Sequence, residues 1–454
     1  MRHHGHLLLL LATVLATAWT PNAQAAEGAT PPPPQELTTP EIIENPEVTL
    51  LDSEGAGKLY RVGEHLVCVM EGTPEEMGYQ HGRLLAKPIH HVMKEGYVKK
   101  ALWDKGYTWD YAMAQSERME KHFPPEYVAE MNGVVKGLRA AGIDDLNYED
   151  IRLAVTEAEI LHYGPGEAPE CSNFACWGKW TPDGRLLHGR NLDWNISDDA
   201  QDDAALFVWR PKGGIPFMMV GWAGGIGSVS GMNAQGITMG EMTLPSPDVT
   251  FDGLPLFLIM RRVLEKATNL DEAVAIMDKG PRTTGWNFII GDAKVPDGRA
   301  LEVDGTYCTV FTPMDPKENE ETGHWGMQDA VRRTNHPVGM PQLMRLAKTF
   351  GGDMGLSVET EEDVAKLVPF LRLQDTWQRY NFMSKQIEAR AGAVDVPAAL
   401  QILSNGPVLC DVTLHSWVFD PKNQSAYVAN AGNNPPVTAT KRPYTRIDLK
   451  AWFQ

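Results

Sequence analysis

The sequence predicts a mixed α+β protein with β-sheets at its centre and helices outside. Short runs of apolar and β-branched residues, typical of strands, recur before and after longer stretches with helical periodicity. This succession suggests two layers of sheet flanked by helices, although the pattern alone also fits other arrangements. The chain has 454 residues, of which 43% are hydrophobic and 22% charged, so it can bury a large core in one or two domains.

The first 25 residues have the features of an export signal. A polar start precedes an apolar stretch over residues 7–18, which is too short to span a bilayer. Residues 23–25 read Ala-Gln-Ala and fit a small-x-small cleavage site. We therefore expect a signal peptide over residues 1–25 and export to the periplasm or the medium. No later stretch reads as a transmembrane helix.

Residues 26–58 are predicted to form a tether. They are rich in Pro, Glu and Thr and include four consecutive prolines, a composition typical of extended or disordered chain. Ordered structure is expected to begin near Tyr60, with a strand over residues 66–70.

Helices dominate the prediction for the N-terminal segment, residues 59–170. Thr73 and Glu76 fit a capping box at the start of one helix. In this helix His81 is expected to have a packing or capping role rather than a catalytic one. Further helical patterns cover residues 124–141 and 147–162.

The stretch from Cys171 to Trp194 predicts a β-hairpin. Two strand-like runs flank the sequence Thr-Pro-Asp-Gly, which favours a turn. A hairpin would bring Arg190 and Asp193 of the second strand beside Cys171. A thiol next to a cation and a carboxylate is a plausible nucleophilic site.

The C-terminal segment, residues 171–454, begins with this hairpin and is predicted to continue with strands, then helices, then strands again. Two good helices are expected near residues 256–279, and three helical patterns lie between residues 341 and 404. A second hairpin is predicted over residues 287–304, and two late strands over 414–420 and 425–430.

Two motifs in this chain resemble the cysteine N-terminal-nucleophile (Ntn) hydrolases of the C45 peptidase group, typified by acyl-CoA:6-aminopenicillanate acyltransferase. The first comprises Cys-Ser-Asn-Phe from Cys171, the Asp-Gly turn, and Gly-Arg-Asn-Leu-Asp-Trp from Gly189. The second is Gly-Thr-Pro-Glu-Glu-Met-Gly-Tyr-Gln-His-Gly from Gly72. Acid ceramidase and the bile-salt hydrolases are more distant likenesses. The resemblance implies a four-layer αββα sandwich, with an N-terminal helical pro-segment and a catalytic segment that begins at Cys171.

The resemblance also implies self-processing and a set of site residues. The Cys171 thiol would cleave the bond after Glu170, and the new α-amine would serve as the base, since its reference pKa is about 7.7–8.0. Arg190 would favour the thiolate, and Asp193 would hold the amine and the substrate. The N-terminal chain would remain as a partner after cleavage.

Two further residues are assigned by short motif likenesses. Asn335 lies in Thr-Asn-His-Pro and matches the family's oxyanion-stabilising Asn. Arg379 matches an Arg close to the nucleophile. The second oxyanion donor is left open, with backbone N–H groups as candidates.

The sequence leaves two other functions open. One is an unprocessed papain-like thiol hydrolase that pairs Cys171 with His336. The other is a binding protein on the same scaffold with an inert Cys171. If the chain is an enzyme, its expected substrate is a small linear amide, such as an N-acyl amine, an N-acyl amino acid or a peptide, and the acyl group passes to water or to an acceptor.

Charge and motif content argue against several other classes. A net charge of −18 disfavours nucleic acid and anionic membranes. The five cysteines are few for a chain of this length and odd in number, which argues against a disulfide scaffold. The sequence has neither a metal-binding His motif nor a nucleotide fingerprint, so no metal and no cofactor are expected.

Overall fold

The computed structural model describes residues 37–161, 170–194, 196, 199–351 and 357–454, and the predicted signal peptide lies outside these ranges. The strands are β1 (Ile42–Ile43), β2 (Val48–Glu54), β3 (Gly57–Val62), β4 (His65–Gly72), β5 (Cys171–Gly178), β6 (Gly184–Asp193), β7 (Ala204–Pro211), β8 (Phe217–Trp222), β9 (Ser230–Asn233), β10 (Ile237–Thr243), β11 (Trp286–Asp292), β12 (Asp297–Val303), β13 (Cys308–Phe311), β14 (Ala330–Arg333), β15 (Thr413–Asp420), β16 (Ser425–Asn430) and β17 (Tyr444–Asp448). The α-helices are α1 (Pro74–Leu84), α2 (Ala86–Lys94), α3 (Trp109–Glu120), α4 (Pro125–Ala140), α5 (Tyr148–Leu161), α6 (Leu256–Lys266), α7 (Leu270–Asp278), α8 (Met340–Gly351), α9 (Glu361–Leu371), α10 (Asp375–Ala389) and α11 (Val396–Leu403). Of these helices, none is both long and apolar enough to cross a bilayer.

The described strands form two sheets. The seven-stranded sheet has the order β1-β17-β16-β15-β6-β5-β14, and the ten-stranded sheet has the order β13-β12-β11-β10-β9-β8-β7-β4-β3-β2. Neighbouring strands are antiparallel except for the pairs β1–β17 and β4–β7, which are parallel. The segment before Cys171 therefore contributes β1 to one sheet and β2, β3 and β4 to the other.

Helices cover the outer face of each sheet, while the inner faces meet. On the seven-stranded sheet, Phe174 of β5 packs with Met383 of α10 and Leu400 of α11. The ten-stranded sheet packs its apolar side chains, including Phe207, against α1 to α7. The resulting layer order is the predicted αββα sandwich, and the predicted α+β fold class is confirmed.

Helices α1 and α4 cross where both carry glycine. A Cβ atom built on Gly78 or Gly82 of α1 would lie 1.9 or 2.0 Å from a backbone carbonyl oxygen of α4. Gly133 and Gly137 of α4 meet the backbone of α1 just as closely. Gly78 and Gly82 thus allow α1 and α4 to pack closely. The predicted capping box at Thr73 is present as well.

Gly82→Ala is expected to lower the free energy of unfolding by about 3 kcal/mol or more, because the added methyl group meets backbone that cannot move aside. In a solvent-exposed helix the same change would stabilise the protein by up to about 1 kcal/mol. The two effects have opposite signs, so a urea titration distinguishes them. An unchanged or higher urea midpoint would contradict the close crossing.

Order begins earlier along the chain than predicted. Residues 26–58 were expected to be a tether, but β1 and β2 lie inside this range and pair with β17 and β3. Pairing with other strands orders this stretch, and the amino-acid composition of residues 26–58 does not reveal such pairing. For the same reason the segment before Cys171 is not only helical, because it also supplies strands to both sheets.

The C-terminal part also differs from the prediction, and strands β13 and β14 were not predicted. Four described helices, α8 to α11, lie where the sequence predicted three, because Val396–Leu403 is a short helix of its own, separated from α10 by only a tight turn near Gly392. Strand β17 was not predicted, since its five residues show little alternation and depend on pairing with β16.

Candidate active site

The predicted hairpin is formed by β5 and β6, and it brings Arg190 to Cys171. Cys171 lies opposite Leu192, and Asn173 lies opposite Arg190. The Arg190 guanidinium Nη2 is 3.8 Å from Cys171 Sγ. Both side chains are buried between the two sheets, where the low dielectric strengthens their interaction.

The Cys171 thiol is protonated at neutral pH in the intact chain. Burial raises its pKa to about 12; the charge of Arg190 opposes this shift, whereas the carboxylates of Glu241 and Asp193 add to it. A protonated thiol is a poor nucleophile, so its attack on a carbonyl has to be coupled to transfer of the thiol proton to a nearby nitrogen or other base.

Glu241 of β10, which the sequence analysis did not assign to the site, pairs with Arg190 across the two sheets. Arg190 Nη2 donates to Glu241 Oε1 at 2.5 Å, and Nε donates to the Glu241 carbonyl at 2.8 Å. Arg190 Nη1 also donates to the Ser230 hydroxyl at 2.6 Å and lies 3.3 Å from His415 Nε2. Burial raises the pKa of Glu241 to about 7, and the charge and hydrogen bond of Arg190 oppose this shift only in part. Arg190 is thereby held rigidly beside the thiol.

The backbone nitrogen of Cys171 points into a second polar cluster. It donates to Asn335 Oδ1 at 2.6 Å. Asn335 reaches this position because β14 runs antiparallel to β5, with Arg333 opposite Asn173, and the chain continues two residues beyond Arg333. Asn335 Nδ2 donates to the carbonyl and hydroxyl oxygens of Thr243 at 3.0 and 2.8 Å. In the intact chain both amide protons of Asn335 are therefore engaged by Thr243.

Arg379 of α10 covers the same end of β5 from the helical layer. It is buried and donates to the Cys171 carbonyl oxygen, to the Ser172 hydroxyl at 3.2 Å and to Asn335 Oδ1 at 3.2 Å. Its Nε is paired with Asp375 at 2.5 Å. Arg379 thus contacts the backbone of Cys171, whereas Arg190 approaches the thiol.

Asp193 lies on the helix-facing side of β6, the side opposite to Arg190. Neither of its carboxylate oxygens has a hydrogen-bond partner of normal geometry among the described residues. Burial raises its pKa to about 7; the Thr413 side chain and the charge of Arg379 oppose the shift, and Glu170 adds to it. A buried carboxyl group that lacks a direct cationic partner is suited to receive one.

The histidines that the sequence singled out lie in other surroundings. His336 Nε2 is 2.7 Å from His324 Nε2, its Nδ1 is 2.8 Å from the Thr376 hydroxyl, and its ring stacks on Trp377. Both ring nitrogens are therefore engaged away from Cys171. His81 is buried and accepts a hydrogen bond from the Gly224 N–H, as expected of a packing residue.

A pocket opens at Cys171 and continues beneath the N-terminal helices. Glu241, Thr243 and Trp286 form its wall near the thiol. A second, adjoining hollow shares five lining residues with the first: Tyr97, Glu157, Trp222, Val229 and Phe257. Since Tyr97 and Glu157 precede Cys171 in sequence, both segments of the chain build the pocket.

All five cysteines lie in the described part of the chain, and each is a free thiol. Among the described residues there is no cluster of three His, Cys, Asp or Glu side chains arranged to hold a metal ion. Cys176 lies on the opposite face of β5 from Cys171, within the apolar layer under α10 and α11.

Glu241→Gln is expected to lower the pKa of the Cys171 thiol, because it removes a negative charge that disfavours the thiolate and leaves Arg190 without its counter-ion. It should also lower the free energy of unfolding by about 3–5 kcal/mol, the cost of an unpaired buried charge. The pH dependence of Cys171 alkylation and a urea titration measure the two effects. Glu302→Gln, at another buried acid that pairs with Arg333, is the control. It should lose stability without shifting the alkylation profile. An unshifted profile for Glu241→Gln would contradict the pairing.

Parts of this chain are similar in sequence to known proteins. Residues 180–319 match the family described as acyl-coenzyme A:6-aminopenicillanic acid acyl-transferase. A protein of Archaeoglobus fulgidus, named only as uncharacterized, is 29% identical over 417 residues, which cover 84% of this chain and 62% of that protein. The 40 kDa form of acyl-coenzyme A:6-aminopenicillanic-acid-acyltransferase of Emericella nidulans is 27% identical over 237 residues, covering 50% of this chain and 60% of that one.

Acid ceramidase of Bos taurus is 26% identical over 212 residues, covering 40% of this chain and 50% of the ceramidase. The resemblance to the acyltransferase group and to acid ceramidase, inferred from two short motifs, is thereby confirmed. The alignments with these relatives span only half to about three fifths of their lengths.

Proposed function

We propose that this chain is a self-processing Ntn hydrolase or acyltransferase that cleaves linear amides through a thioester on Cys171. The observation that carries the proposal is the placement of two atoms of one residue. The Cys171 backbone nitrogen is held by Asn335 Oδ1, while its sulfur lies beside the Arg190 guanidinium. An enzyme that takes nucleophile and base from one N-terminal residue needs both atoms inside the site.

Processing begins with attack of the Cys171 sulfur on the Glu170 carbonyl carbon. The peptide C–N bond breaks as the C–S bond forms, and the proton of the thiol passes to the departing Cys171 nitrogen. This acyl shift frees the α-amine of Cys171, and water then hydrolyses the thioester to a carboxylate on Glu170 and the free Cys171 thiol. The amine remains next to Asn335, and Asp193 supplies the negative charge that its protonated form needs.

Turnover repeats this chemistry on an external amide. The α-amine accepts the thiol proton as sulfur attacks the substrate carbonyl, and it gives the proton to the leaving amine. Arg190 stabilises the thiolate, and Arg379 fixes the backbone of Cys171. Asn335 is proposed as an oxyanion donor, for which its Nδ2 has to exchange Thr243 for the substrate oxygen. Water or an acceptor amine finally releases the acyl group.

The geometry disfavours the papain-like alternative. A Cys–His pair requires an imidazole nitrogen within hydrogen-bond reach of the thiol. Both nitrogens of His336 face other side chains, and burial together with the neighbouring His324 and Arg379 holds its pKa well below the usual range. A binding protein with an inert Cys171 stays the second candidate, because the thiol is buried and protonated in the intact chain.

The proposed setting of the enzyme is outside the cytoplasm. This proposal rests on the signal-like residues 1–25, and it makes small-molecule amides from the periplasm or the medium the natural substrates. Neither nucleic acid nor a transmembrane anchor has a role in the proposal.

Acyl-enzyme formation tests the proposed function. The active protein is mixed with an excess of an N-acyl amide, quenched in acid and analysed by mass spectrometry. The chain that contains Cys171 should gain the mass of the acyl group, and the label should be lost on further incubation with water or an amine. If none of a panel of short, long and aromatic acyl amides acylates Cys171 and none of these amides is cleaved, the binding-protein alternative is favoured.

A further inference from the structure

The pocket beside Cys171 contains a carboxyl group that the reaction outlined above does not use. Glu157 of α5 is buried and lines both halves of the pocket. It lies on the same helix as Glu159, which by contrast is fully engaged: its carboxylate accepts from the Leu256 N–H at 2.7 Å and from the Thr284 hydroxyl at 2.5 Å. Glu159 therefore links α5 to the start of α6 and to the residues just before β11, and this holds Glu157 at the pocket wall.

Glu157 has no cation to balance it among the described residues. Burial raises its pKa to about 8, N–H groups of its own helix oppose the shift, and the Glu159 carboxylate adds to it. At neutral pH the buried carboxyl group of Glu157 is therefore largely protonated in the empty pocket, and a cation bound beside it would favour its ionised form.

The other walls of the pocket are aromatic. Tyr97 and Trp222 stack with their ring centroids 6.2 Å apart, and Phe257 packs on Trp286 at 5.2 Å. Faces of such rings attract cations, and a carboxylate among them adds direct charge recognition. A purely aliphatic or neutral aromatic ligand would gain no charge interaction from Glu157.

The pocket lies on the acyl side of the reaction. The leaving amine has to receive its proton from the Cys171 nitrogen, which points to Asn335 and Arg379, and neither of these side chains lines the pocket. The part of the substrate that stays bound to sulfur therefore extends towards Glu157.

We infer that this enzyme selects amides whose acyl group carries an ammonium group, with Glu157 as the residue that determines this specificity. The inference rests on the proposed function for the assignment to the acyl side. The substrate class is that of aminoacyl or ω-aminoacyl amides, in which Glu157 binds the ammonium group and Tyr97, Trp222 and Phe257 enclose it.

Matched substrates test this specificity on the active, mature protein. The pairs are ω-aminoalkanoyl and alkanoyl amides of the same chromogenic amine, in which an ammonium group replaces a terminal methyl group. At the best chain length, kcat/KM should favour the aminoacyl member by about tenfold or more, equivalent to about 1.4 kcal/mol. Glu157→Gln should abolish this preference, chiefly through KM. Glu149→Gln, an exposed acid on the same helix, should retain it.

A binding experiment separates this inference from the proposed function. Cys171→Ala keeps the intact chain, and calorimetry with pentylammonium and with 1-pentanol reports on the pocket without catalysis. Tighter binding of the ammonium ion that is lost in Cys171→Ala/Glu157→Gln supports the inference even if no amide is hydrolysed. Equal binding of the two ligands, or a ratio of kcat/KM values that Glu157→Gln leaves unchanged, overturns it.

Discussion

Cys171→Ala is expected to give a single chain with an intact 170–171 bond and with turnover reduced by more than about 10,000-fold. The variant lacks the sulfur that attacks Glu170, and it lacks the nucleophile for any external amide. The fold should persist, because an alanine fills the buried end of β5 without disturbing Arg190 or Asn335. Denaturing gel electrophoresis and an amidase assay measure the two outcomes.

Cys176→Ala is the matched control for this variant. Cys176 lies on the same strand, is equally buried and faces the apolar layer of helices instead of Arg190. It should be cleaved and active like the wild-type protein, with a modest loss of stability from the removed sulfur. Cleavage of the Cys171→Ala chain after Glu170 would assign the processing to another nucleophile.

Asp193→Asn is expected to reduce turnover by about 100-fold or more while the protein stays folded, because the Cys171 α-ammonium loses its counter-charge and its orientation. The same substitution should raise the free energy of unfolding at pH values above about 7. Burial raises the pKa of Asp193 to about 7, above its value in the unfolded chain. Ionising it therefore costs folding free energy as the pH rises from about 4 to 7, and the cost persists above that range.

The uncleaved Cys171→Ala chain is the background in which this stability effect can be measured. There Asp193→Asn should raise the urea midpoint at pH 8 and leave it almost unchanged at about pH 3.5, where the carboxyl group is largely protonated in both states. A gain in stability with a loss of activity identifies a group kept for function. Near-normal activity, or a lower midpoint at pH 8, would exclude this role for Asp193.

Local sequence predicted the part of the site that lies on one hairpin. Cys171 and Arg190 approach each other because strand, turn and strand are encoded in adjacent residues. Asn335 and Arg379 were found through motif likeness, and the structure brings both to the backbone of Cys171. Their positions follow from the pairing of β14 with β5 and from the packing of α10. Hydrophobic periodicity in the sequence predicts neither of these contacts.

Glu241 was missed because its partner lies on the other sheet. Which faces of two sheets meet depends on the whole fold, so the pairing of Glu241 with Arg190 has no local signature. One signal was available: an acidic residue within an otherwise uncharged strand, Ile237–Thr243, has to be paired if it is buried and ionised. Glu157 gave a weaker signal, because α5 also buries Asp150, Arg152 and Glu159, so a single acidic residue does not stand out there.

The mass of the chains in fully active protein tests the central claim most directly. Denaturing mass spectrometry should show two chains, one that ends at Glu170 and one that begins at Cys171. Native mass spectrometry of the same sample should show them associated, because β2, β3 and β4 of the first chain belong to a sheet completed by the second. Full activity with an intact 170–171 bond would contradict the N-terminal-nucleophile mechanism.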